Sequence, residues 1–88
     1  MERAKVEAML EKLEKRAAIT REHANQTQHI LNTWARAGDD RDTYVKIYYL
    51  INGTLDYLKK FKSNFPNYEQ HVDQWTTLQN VAKSRTNI

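Results

Sequence analysis

From Glu2 to Ala37 the chain has neither a glycine nor a proline. Those two residues interrupt helices most effectively, glycine through its backbone freedom and proline through its missing amide. Across this stretch small or apolar residues recur at Val6, Leu10, Leu13, Ala17, Thr20, Ala24, Thr27, Leu31 and Trp34. Steps that alternate four and three place them on one helical face with a seven-residue repeat. Met9 and Ile30 widen the stripe at either end. Gly38 follows as a C-terminal cap, since glycine enters the left-handed region without steric cost. The pattern predicts one helix over residues 2–37.

The rest of the chain is punctuated almost as sparsely. Two glycines, one proline and no cysteine in 88 residues argue against β-rich, loop-rich and low-complexity folds. They also exclude a disulfide framework, a thiolate nucleophile and a cysteine-based zinc site. Asp39, Asp40 and Asp42 open a second predicted helix, residues 40–64, where a carboxylate satisfies free amides and opposes the helix dipole. Its apolar face is Tyr44, Ile47, Tyr48, Ile51, Leu55, Leu58 and Phe65, widened by Leu50, Tyr57 and Phe61. An arc that broad needs two neighbours, which makes this helix central. Pro66 precedes a third helix, residues 67–83, with Asn67 as cap, Gln70 at capping-box spacing, and a face of Tyr68, Val72, Trp75, Gln79 and Ala82. Residues 84–88 are expected to fray. The expected fold is all-α: a single helical domain with a long N-terminal helix and two shorter ones.

One segment points elsewhere. Residues 44–51 are rich in β-formers, and Asn52-Gly53 is a strong hairpin signal. The three-and-four spacing nevertheless runs unbroken from Tyr44 to Phe65, which favours helix, with Gly53 marking a kink or a close approach.

Helix lengths bear on partners. At about 1.5 Å per residue the three helices would span about 54, 36 and 25 Å. The short helices cannot cover the long one, so its N-terminal turns overhang. Val6, Met9, Leu10, Leu13 and Ala17 are therefore expected to mediate self-association, with a homo-oligomer completing the bundle. The competing possibility is a break near Thr20-Arg21 that folds the first helix back.

Charge and chemistry restrict the function classes. The net charge is +3, and Lys59-Lys60-Phe61-Lys62 near Tyr57 resembles a phosphate-and-stacking patch. Those lysines close a helix, however, as do Arg36, Lys83 and Arg85, while Glu2, Asp39, Asp40, Asp42, Glu69 and Asp73 lie at helix starts. Nucleic acid is accordingly not favoured as a partner. The longest apolar run, Ile47 to Ile51, is far short of the ~20 residues that span a bilayer. No membrane partner is expected, and the location is read as cytoplasmic, or host cytoplasm for a viral chain. His23 and His29 point to different sides of their helix, and His71 and Asp73 form no dyad. No phosphate loop, nucleophile elbow or zinc pattern is present, so no enzyme activity, metal or cofactor is expected.

A polar stripe remains on the first helix, Arg21, Asn25, Gln28, His29 and Asn32, with Arg36 beyond it. With Tyr49 and Lys60 it supplies candidate ligand-binding residues for an anionic small molecule such as a nucleotide. The leading expectation is a non-catalytic oligomeric binding protein, an adaptor, inhibitor or assembly factor acting on another protein. The anionic-ligand binder is its rival.

Overall fold

A computed structural model of the chain describes residues 3–86. Three α-helices account for nearly all of it: α1 (Arg3–Ala35), α2 (Arg41–Lys60) and α3 (Tyr68–Ser84), with a short 3-10 turn at Lys62–Asn64. The described residues contain no strand. The molecule is a rod, 59 × 22 × 14 Å, whose long dimension is that of α1, about 50 Å of helix.

α1 is continuous, so there is no fold-back near Thr20-Arg21. It ends at Ala35, two residues short of the expected 37, and the turn that follows contains Gly38, the glycine with positive φ (54°). Asp40 caps α2: one carboxylate oxygen accepts from the Asp42 amide at 3.3 Å and the other from the Thr43 hydroxyl at 2.6 Å. α2 passes through Asn52-Gly53 without a break, so the spacing prevails over the hairpin signal. A Cβ built on Gly53 meets nothing within 4 Å, which excludes a close approach there within the chain. α2 stops at Lys60 rather than at residue 64, and the 3-10 turn leads into Phe65 and Pro66. Asn67 occupies the cap position of α3, but its side chain makes no capping hydrogen bond. The His71 amide donates instead to the Asn67 carbonyl at 3.0 Å, within the helix pattern.

α2 is the central helix. Tyr44, Ile47, Ile51, Thr54 and Leu58 are buried on it, facing α1 on one side and α3 on the other. α1 and α2 run antiparallel. Trp34 packs edge-to-face on Tyr44 near the Gly38 turn (6.1 Å), and the Tyr57 hydroxyl donates to the Ile19 carbonyl far along α1 (3.0 Å). α3 returns alongside α2, with the Gln79 amide donating to Asn52 Oδ1 (2.6 Å) and to the Tyr48 carbonyl (3.3 Å).

Two expectations need correction. The segment after α3 is not frayed through residue 86. Arg41 Nε donates to the Thr86 carbonyl at 2.7 Å, Arg85 donates to the Tyr44 hydroxyl at 2.9 Å, and its guanidinium lies over the Tyr44 ring. These contacts bury Thr86 completely; residues 87 and 88 lie outside the described part, as does Glu2. The second correction concerns charge at helix ends. α2 and α3 carry acids in the first turn and lysines in the last, but α1 has no acid in its first turn and no base in its last. Only Arg36, just beyond, reaches back to donate to the Asn32 carbonyl.

Candidate interaction surface

α1 faces the core mostly through residues beside those its periodicity suggested, although Ile30 and Trp34 at the C-terminal end of the predicted stripe do pack there. The side chains turned toward α2 and α3 are Ile19, His23, Gln26, Ile30 and Thr33, followed by Ala37 in the turn. Ile19, Ile30, Thr33 and Ala37 are buried, and His23 and Gln26 partly so. Each core residue of the helix precedes its predicted counterpart (Thr20, Ala24, Thr27, Leu31, Trp34) by one position, which is about 100° of rotation. The steps are again four and three. α1 therefore carries two stripes, and the packed one is the more polar.

The stripe read from the sequence is the outer one. Val6, Met9, Leu10 and Leu13 expose 43%, 58%, 54% and 60% of their surface, and Leu31, at the other end, exposes 52%. Ala17, Thr20 and Ala24 between them are exposed as well, and only Thr27 is partly covered. The four larger N-terminal residues lie beyond the point where Tyr57 reaches Ile19, so α2 and α3 do not approach them. The overhang inferred from helix lengths is thus present, and its apolar face extends along the covered half of α1. On the overhang the face continuous with the core carries Lys5, Met9, Lys12 and Arg16, three charged side chains suited to water and one apolar one.

The polar residues of α1 are distributed along its exposed surface. Arg21, Asn25, Gln28, Asn32 and Arg36 are all exposed, and the Gln28 amide donates to Asn32 Oδ1 at 2.9 Å. Tyr49, 62% exposed, stands edge-to-face with Tyr48 and borders a slot of about 240 Å³ lined by Gln26, His29, Ile30, Leu50, Gly53 and Thr54. Lys60 lies over the Phe61 ring at 5.4 Å. The slot beside Tyr49 includes none of Arg21, Asn25, Gln28, Asn32, Arg36 or Lys60, so one chain does not gather these residues into a single pocket. A different basic cleft, about 400 Å³, lies where the overhang meets the 3-10 turn, between Lys12, Lys15 and Arg16 on one side and Ser63 and Asn64 on the other.

Sequence reasoning did not find a histidine–aromatic cluster joining all three helices. The His23 ring lies 5.1 Å from Phe65, 5.8 Å from His71, 6.2 Å from Trp75 and 6.5 Å, stacked, from Tyr57. Burial, reinforced by His71, holds the His23 pKa below its ordinary value, with Gln26 partly opposing. Burial and the carboxylate of Glu22 raise that of Tyr57. The available signal was His23 standing four residues after Ile19, on the true core stripe. Among the described residues no three His, Asp or Glu side chains converge to hold a metal ion. Among the described residues no helix is long and apolar enough to cross a membrane. No protein-family model, curated protein or solved structure matches the chain.

Proposed function

We propose that the chain is a non-catalytic protein-interaction module that works as a homo-oligomer through the outer stripe of α1. The observation that carries this reading is the exposed row Val6, Met9, Leu10, Leu13 and Leu31 on a helix already packed on its other side. Each is about half exposed, so covering it fully would contribute about 1 kcal/mol. Five such residues against a featureless partner fall at the low end of the roughly 4–15 kcal/mol cost of association. Two copies of the same stripe facing each other double the contribution, which favours self-pairing. The docked α2–α3 unit of each copy then remains free to recognise another protein.

Light scattering tests the reading. The wild type is expected well above the 10.4 kDa of one chain, and Leu13→Lys is expected to return it to monomer mass with helicity intact. A wild type that stays monomeric at high concentration would overturn the reading.

A second reading, binding of an anionic small ligand such as a nucleotide, is supported by the cleft holding Lys12, Lys15 and Arg16. Among the described residues none of these three forms an ion pair; the ion pair present joins Arg3 to Glu7. A purified protein whose 260/280 nm absorbance shows bound nucleotide would favour it.

A further inference from the structure

The outer stripe has a polarity of size. Its N-terminal third is large (Val6, Leu10, Leu13), while its middle is small (Ala17, Thr20, Ala24, Thr27) before Leu31. Two parallel copies in register would stack leucine on leucine at one end and small on small beyond, giving a seam of uneven width. Antiparallel copies can set Leu10 and Leu13 against small residues instead of against one another.

Charge then selects the register. Glu14 and Arg21 each follow a stripe residue (Leu13, Thr20), so they flank the seam on the same side, one heptad apart. Neither has a charged residue three or four positions away except Glu11, three before Glu14. No opposite charge on its own helix face satisfies either one.

Resting on the self-association reading above, we infer that two α1 helices pair antiparallel about a two-fold axis between Ala17 and Thr20. In that register Val6 meets the partner's Leu31, Leu10 meets the partner's Thr27, Leu13 meets the partner's Ala24, and Ala17 meets the partner's Thr20. Glu14 then lies beside the partner's Arg21, and symmetry supplies the same pair again. Sliding one heptad in one direction sets Glu7 beside the partner's Arg21 but also Glu14 against the partner's Glu14 and Arg16 against the partner's Arg16. Sliding the other way sets Arg21 against the partner's Arg21. The parallel in-register arrangement places Arg16 beside the partner's Arg21. Of these four arrangements the first alone joins opposite charges without also setting like charges together, and it covers the exposed row from Val6 to Leu31. Exposed ion pairs add little affinity, so their part here is to choose among apolar alignments, as flanking charges do in coiled coils.

The test compares wild type with Glu14→Arg, Arg21→Glu and the double exchange by sedimentation equilibrium, with circular dichroism confirming that each variant folds. Each single reversal puts like charges at both flanks and is expected to weaken the dimer by about tenfold or more. The double exchange restores opposite charges and is expected to restore the dimer. Because the chain has no cysteine, disulfide trapping gives an independent readout. Leu13→Cys/Ala24→Cys should yield covalent dimers linking 13 to 24, and Leu13→Cys alone should yield none. Dimers that ignore the reversals, a double variant no tighter than the singles, or efficient trapping of Leu13→Cys alone would overturn the register and leave self-association standing. A monomeric wild type would remove both.

Discussion

Ile30 and Leu31 are adjacent, similar in size and both on α1, yet one is 2% exposed and the other 52%. They belong to two stripes of identical periodicity rotated by about 100°. The inner stripe includes His23, Gln26 and Thr33; the outer one consists of leucine, valine, alanine and threonine as far as Leu31, and ends in Trp34, which packs onto the core. In this helix the more apolar stripe does not face the chain's own core. Hydrophobicity by itself says that a surface is to be covered. Which surface is covered by the same chain depends on where the neighbouring helices can reach.

The adjacent pair offers the sharpest way to break this comparison. Ile30→Ala should cost about 2–5 kcal/mol through a cavity that packed neighbours cannot close, lowering Tm by about 4–8 °C per kcal/mol for a domain of this size. Leu31→Ala, measured in dilute solution, should stay within about 1 kcal/mol of wild type while shifting the association equilibrium. Equal losses in thermal denaturation would show that the two faces are not distinct.

A smaller effect is expected on α2. Gly53→Ala should stabilise the fold by up to about 1 kcal/mol, since the glycine is helical, exposed and clear of neighbours. Destabilisation in a urea titration would reveal a close approach at the Tyr49 slot.

The inner stripe should also respond to pH where the outer one does not. His23 is held below its ordinary pKa of about 6.5 by burial and by His71. The unfolded chain therefore binds a proton that the folded chain resists, and stability falls as pH drops below about 6.5 toward the lower folded value. The dependence should flatten in His23→Gln when denaturation midpoints are compared across that window. An unchanged slope would place the titrating group elsewhere.

Much of the fold was legible because α2 carries one broad stripe with no competitor: Tyr44, Ile47, Ile51 and Leu58 lie buried where their spacing places them. Gly38 and Asp40 were equally readable, since their roles are local. The overhang followed from lengths alone, and so did its exposed residues Val6 to Leu13. Apart from Ile30 and Trp34, the core face of α1 was not legible. Its polar members carry no hydrophobic signal, and a more regular stripe lay one residue away. The His23–His71 approach was hidden for a related reason, because contacts between helices depend on crossing geometry rather than on spacing within either. The clasp of Arg41 and Tyr44 on residues 85 and 86 joins positions more than forty apart, which no local rule connects.

The hydrogen bond from Tyr57 to the Ile19 carbonyl marks a frontier on α1. Beyond it toward Arg3, the helix is held mainly by its own backbone bonds, and a segment of that length is marginal alone in water. Deuterium should therefore enter its amides on the timescale of fraying in a lone molecule and far more slowly once a second helix lies along it. If copies pair through α1 as proposed, the overhang is a built-in clock for that assembly, legible from dilution and heavy water without changing a single residue.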